Sequence, residues 1–106
     1  MALKSKVAII DLTKREIKTE PISVKMRRLY LGGRGIGAHL IYNHVEPRTD
    51  PLGPGNVLVV SAGILTGTMA PAASRVHFGG KSPVTNGFGS SNMGGYFGPE
   101  LKFAGF

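Results

Sequence analysis

Between Ser61 and Gly98 the chain concentrates residues that expose main chain rather than cover it. Ser61-Ala62-Gly63, Thr66-Gly67-Thr68, Gly79-Gly80, Gly87-Phe88-Gly89, Ser90-Ser91-Asn92 and Gly94-Gly95 follow one another closely. Backbone without Cβ atoms can approach a polar, phosphate-bearing ligand, and its free amides can donate to it. One strongly cationic side chain, Arg75, stands among these uncharged small residues. A guanidinium so placed forms paired, charge-assisted bonds to a phosphate. The same composition also describes tight turns between short strands, with Arg75 on the surface. Composition alone leaves the two readings level.

Other chemistries fail on spacing. Gly33-x-Gly35-x-x-Ala38 has the letters of a dinucleotide fingerprint, which works only where a buried strand runs into a helix N-terminus. Here Lys25 to Leu31 reads as helix and no acidic residue closes a second strand, so these are glycines of a helix-to-helix turn. His39 and His44, five apart, point about 140° away from each other on a helix and cannot share a metal. His77 is distant in sequence from both, and all three histidines read as structural. Gly89-x-Ser91-x-Met93 misses the nucleophile elbow at its last position. No carboxylate pair stands out for acid–base work.

Composition narrows the field further. Among 106 residues there is no cysteine, which excludes a disulfide scaffold, a thiolate zinc site, a cysteine nucleophile and a self-contained iron–sulfur cluster. The length suits one domain burying about 65% of its unfolded surface. Hydrophobic content of 42% with 18% charged residues is that of a globular chain. No apolar run approaches the ~20 residues of a membrane span. The N-terminus Met1-Ala2-Leu3-Lys4-Ser5-Lys6 lacks the apolar core of a secretory signal, so the expected compartment is the cytoplasm. Thirteen basic against six acidic residues leave a net charge of +7, and most of the basic groups precede Gly35. That third attracts phosphates, whether of nucleic acid or of a phosphorylated cofactor.

The elements that must position the glycine-rich stretch follow from pattern. Lys6 to Leu12 and Glu16 to Ile22, joined by Thr13-Lys14-Arg15, predict a hairpin with one solvated face. Ser23 caps a short helix that Gly32-Gly33 stops. A second helix runs from about Gly35 to Val45, with Ile36, Leu40, Ile41 and Val45 on one side. Pro47, Pro51 and Pro54 make a loop. Val57 to Val60 predicts a strand buried on both faces. Short strands follow near Ser74–Gly80 and Asn86–Asn92, and a helix from Tyr96 to Ala104 in which Pro99 fits the first turn. The fold class is α+β and sheet-dominated, with antiparallel or mixed sheets and short helices.

Four blocks, in order, resemble the N-terminal domain of the tungsten-containing aldehyde ferredoxin oxidoreductase family. They are Leu31-Gly32-Gly33-Arg34-Gly35, the run Ala62 to Pro71, Lys81-Ser82-Pro83, and the run Gly94 to Gly105. The resemblance implies that residues 1–106 are part of a cofactor-binding domain on which two pyranopterin dithiolene groups lie. Their sulfurs hold tungsten or molybdenum, and a magnesium ion links their phosphates. It implies two-electron oxidation of an aldehyde to a carboxylate, with electrons leaving through a [4Fe–4S] cluster to ferredoxin. The cluster would be held by regions absent from this chain, which alone would be inactive. Carried over residue by residue, Arg75 neutralises pterin phosphate and lies between cofactor and cluster, Asn92 helps hold the magnesium through an oxygen, and Gly94 makes a main-chain contact to the pterin; the reading of the residues themselves, glycine-rich backbone with a single buried cation, suits the same phosphate ligand. Gly95 and Ser91 join them by adjacency.

The implied partner is the remainder of the enzyme. The ending at Phe106 without a polar tail suggests a chain cut inside a larger domain, with a separately encoded subunit as the alternative; a homo-oligomer is left open. Two rivals come from other classes. One is a small basic nucleic-acid-binding module using Arg27, Arg28 and Arg34, disfavoured because no aromatic residues interleave with the basic ones. The other is a structural subunit that kept the fold and lost the cofactor.

Overall fold

The computed structural model describes residues 5–106; the Met1 to Lys4 part of the N-terminal reading lies outside them. The described residues form five strands and three helices. β1 (Ser5–Asp11) and β2 (Glu16–Ile22) pair antiparallel from Ser5↔Ile22 to Asp11↔Glu16. Asp11 makes the turn, its carboxylate accepting from the Thr13 and Lys14 amides at 3.0 Å each. The hairpin is more solvated than expected, because β2 is exposed on both faces for nearly all its length.

α1 (Val24–Tyr30) starts where Ser23 Oγ accepts from Met26 N at 3.0 Å. It ends where Leu31 and Gly33 take positive φ. α2 (Arg34–His44) follows directly, and Gly35 is needed because a Cβ there would run into the Tyr30 carbonyl. The Gly33-x-Gly35 pattern therefore sits between two helices, as its neighbours implied. Of the four apolar residues on the second helix, Ile36 and Ile41 are buried, while Leu40 and Val45 are half-buried. His39 stacks on Tyr30 at 4.3 Å, and His44 Nδ1 lies 2.8 Å from Leu40 O.

The second sheet holds β3 (Val59–Ala62), β4 (Val76–Lys81) and β5 (Phe88–Met93) in the order β3-β4-β5, all antiparallel. α2 lies against β3 and β4, and the core is built from Ile36, Ile41, Val59, Ala62 and Val76. The strand expected at Val57–Val60 starts two residues later. Its burial alternates, with Val59 and Ala62 inside and Leu58 and Val60 exposed. The physical reason lies in Asn56, whose side-chain oxygen accepts from both Val57 N and Lys81 N, holding the chain out of the ladder until Val59. The other two strands also start about two residues beyond their expected positions. α3 (Phe97–Phe103) closes the described chain.

Candidate functional site

The β4–β5 register decides what lies beside what. Val76 pairs with Met93 and His77 with Asn92. One step further along, Arg75 stands opposite Gly94. The cation and the Asn92–Gly94 segment are therefore neighbours. Arg75 is nevertheless exposed, so the expectation of a buried guanidinium is corrected. Burial is spent on its main chain instead. Thr66, only 3% exposed, donates its hydroxyl to Arg75 O at 2.7 Å, and Gly63 N donates to the same oxygen at 3.4 Å. With its carbonyl gripped from within, the residue sends its side chain outward.

Strand alternation separates two of the expected residues. Asn92 lies on the face of its partner His77, whereas Ser91 lies with Phe78 on the other. Ser91 therefore does not share a face with Asn92. The serine on Asn92's face is Ser90, and its hydroxyl sits 2.8 Å from Nε2 of the buried His77. His77 also stacks on Phe88 at 5.8 Å. Burial pushes its imidazole below the ordinary histidine value, and Arg34 adds to the effect. The ring is thus neutral and structural.

Gly94 and Gly95 lie just past the end of β5, and both are exposed. A Cβ on Gly94 would meet only Ser74 Oγ at 3.8 Å, an ordinary contact. A Cβ on Gly95 would meet nothing within 4 Å, though its φ of +92° still favours glycine. The space above both peptides is open, so neither glycine is required by packing within the described residues.

α3 holds this turn in place. Gly98 is buried so tightly that a Cβ would fall 2.8 Å from Ser74 O, and Gly67, at φ +73°, faces the Phe103 ring. Lys102 reaches across and donates to Gly63 O at 2.9 Å and also to Ile64 O. Burial pushes this ammonium below its ordinary value, with Arg27 contributing. Thr66 and Lys102 are positioning residues that the sequence reading missed. The Thr66-Gly67-Thr68 block was in view, but nothing local says that the first threonine holds Arg75.

The arrangement offers anion contacts and little else: an exposed guanidinium, two side-chain-free peptides and the Asn92 amide oxygen. Among the described residues no group of three His, Cys, Asp or Glu side chains can hold a metal ion. The open glycine peptides beside a cation suit an anion such as a phosphate.

Comparison with known proteins finds relatives across nearly the whole chain. Residues 7–106 match the family model described as "Aldehyde ferredoxin oxidoreductase, N-terminal domain". The chain is 42% identical over 97 residues to a tungsten-containing aldehyde ferredoxin oxidoreductase of Thermococcus kodakarensis, covering 92% of this chain and 16% of that protein. It is 32% identical over 108 residues to an aliphatic sulfonate oxidoreductase, WOR-like subunit, of Pyrococcus furiosus, covering 99% and 17%. Among solved structures it superposes with a TM-score of 0.89 and 36% identity on the active-site complex BamBC of benzoyl-coenzyme A reductase in complex with 1,5-dienoyl-CoA, covering 97% of this chain and 16% of that one.

Proposed function

The chain belongs to the aldehyde ferredoxin oxidoreductase family through its N-terminal domain, and from that premise we propose that it forms the bed for a bis-pyranopterin cofactor carrying tungsten or molybdenum. It spans about 16% of the relatives' length, so the activity is that of a whole enzyme. In our proposal that enzyme oxidises an aldehyde to a carboxylate and passes electrons through a [4Fe–4S] cluster to ferredoxin, and this chain alone is inactive.

What carries the reading is the placement of Arg75 opposite Gly94 in the sheet register, beside peptides with open space above them. The relatives' names support a cofactor role over a substrate role. They cover an aldehyde, an aliphatic sulfonate and a coenzyme A thioester system, yet the domain persists at 32–42% identity. A part common to enzymes of such different substrates serves what they share.

The cofactor supplies the redox chemistry when bound, and the protein supplies orientation and charge. Arg75 neutralises phosphate with a guanidinium whose position its clamped carbonyl sets. Asn92 would offer its side-chain oxygen to a magnesium ion bound with the cofactor, a hard cation that takes such ligands. Gly94 and Gly95 admit the ligand's edge to main-chain contact. Ser91, on the other face, is left with no part. The nucleic-acid alternative loses one of its three arginines, because Arg27 is 3% exposed and bonds to Leu31 O and Ser5 Oγ.

Arg75→Ala in the complete enzyme tests this. Loss of a charge-assisted contact costs about 1.5–3 kcal/mol, so tungsten or molybdenum per protein should fall roughly 10- to 100-fold in a retention assay. Equal metal content and activity in variant and parent would remove Arg75 from the site.

A further inference from the structure

A second cation stands at the same end of the sheet as Arg75. Gly33, the residue before Arg34, lies over His77: a Cβ there would come 3.8 Å from Gly63 Cα and 3.9 Å from His77 Cβ. Gly33 N also donates to Ala62 O at 3.0 Å, and Ala62 pairs with Val76. One turn later, a Cβ at Gly37 would meet His77 Nδ1 at 3.3 Å and Val59 Cγ1 at 3.8 Å. α2 therefore begins above the Arg75 end of the β3–β4 pair and runs away from it. Arg34 is exposed and close enough to depress the His77 imidazole. Asn92 is the cross-strand partner of His77, and Arg75, two residues earlier, shares its face by strand alternation. Arg34, Arg75 and Asn92 thus border one buried ring.

The charges there are unbalanced. Residues 21–45 and 51–99, which hold all of α1, α2, β3, β4 and β5, contain no aspartate or glutamate. Arg34 also runs against the ordinary rule for helices. It stands in the first turn of α2, where the helix dipole is positive and an acidic side chain is favoured. That turn holds no acid, and its N-cap, Gly33, has no side chain to offer the free amides. A cation serving solubility alone is favoured at the other end of the helix. An anion seated between the two guanidiniums offsets the repulsion and the uncapped helix start together.

We propose that Arg34 is a second phosphate-binding residue of the site, so that one phosphorylated ligand is gripped by two guanidiniums, from the start of α2 and from the residue before β4. Guanidinium and phosphate match in paired, charge-assisted bonds, which is why an arginine suits each position. The inference deepens the cofactor reading and rests on it. It also gives the Leu31-Gly32-Gly33-Arg34-Gly35 block a use. A Cβ at Gly32 would fall 2.9 Å from Ile64 N, and one at Gly35 would run into the Tyr30 carbonyl. The glycines let α2 start pressed against the sheet, and that placement carries Arg34 to the ligand.

The test uses the complete enzyme freed of its metal and cofactor, with inorganic pyrophosphate as the probe in titration calorimetry. Loss of one charge-assisted contact weakens binding about 10- to 100-fold, so Arg34→Gln and Arg75→Gln should each weaken pyrophosphate by about that factor. Lys25→Gln, which removes an exposed cation of α1, is the control and should change it less than about twofold. Weakening in Arg75→Gln alone overturns the inference and leaves the cofactor reading standing. Weakening in Arg34→Gln alone upholds Arg34 as an anion ligand and removes Arg75 from the site. Weakening in neither, or no binding by the parent, overturns both. An equal loss in Lys25→Gln overturns the inference, because the attraction then belongs to the net charge. A second measurement separates binding from folding. Arg34→Gln removes a charge that opposes the helix dipole, so the metal-free melting temperature should hold or rise while tungsten or molybdenum per protein falls about 10-fold or more. A lowered melting temperature with full metal content assigns Arg34 a structural role and overturns the inference.

Discussion

Gly94→Ala separates ligand space from folding space. Gly94 has no positive φ, and the added methyl would touch only Ser74 Oγ at 3.8 Å. Within the chain the change is therefore neutral or slightly stabilising, by up to about 1 kcal/mol through the unfolded state. If a pterin edge lies against this peptide, the same methyl overpacks a close contact, at about 1–3 kcal/mol. That corresponds to roughly 5- to 150-fold weaker retention of the cofactor, since each 1.4 kcal/mol is a factor of ten. The assay is tungsten and molybdenum content per protein in the purified complete enzyme, together with thermal unfolding of the metal-free form. Expected is a large fall in metal with a melting temperature that is unchanged or slightly raised. Gly98→Ala is the contrasting control, because its Cβ would fall 2.8 Å from Ser74 O, so it should lower the melting temperature first. Full metal content in Gly94→Ala would refute the assignment of that peptide to the cofactor bed.

Thr66→Val keeps the shape of the side chain but leaves Arg75 O without its 2.7 Å donor. It should destabilise the domain by about 1–3 kcal/mol, read by denaturant unfolding, and reduce metal retention even though Thr66 touches no ligand. His77 predicts a pH effect of definite sign. Its folded pKa lies below the ordinary 6.5, so the unfolded chain binds the proton more readily. Stability is full above pH 6.5 and declines as pH falls from there toward the lowered folded value. In His77→Gln, melting curves across that range should lose this slope, and an unchanged slope would assign it to other groups.

Much of the local structure is legible without coordinates, because its causes are local. The hairpin follows from β-branched runs on either side of a turn, the first helix from the Ser23 cap and the Gly32-Gly33 stop, and the glycines at 33 and 35 from the helices that flank them. The strand at Val57–Val60 was misplaced because its frame is set by Asn56, whose side chain bonds to Lys81 across the sheet. Ser91 and Asn92 were grouped by adjacency, and a strand sends neighbours to opposite faces.

Residue types alone established a chain without thiols, rich in bare main chain, with one cation in that stretch and blocks ordered as in the N-terminal domain of the aldehyde ferredoxin oxidoreductase family. Those properties depend on which atoms are present and on short-range backbone preference. Only the tertiary structure decided that Arg75 faces Gly94 and that its carbonyl rather than its guanidinium is buried. Each of these depends on a register between strands joined by long loops, and register is settled by packing across the sheet, which no local run of residues encodes.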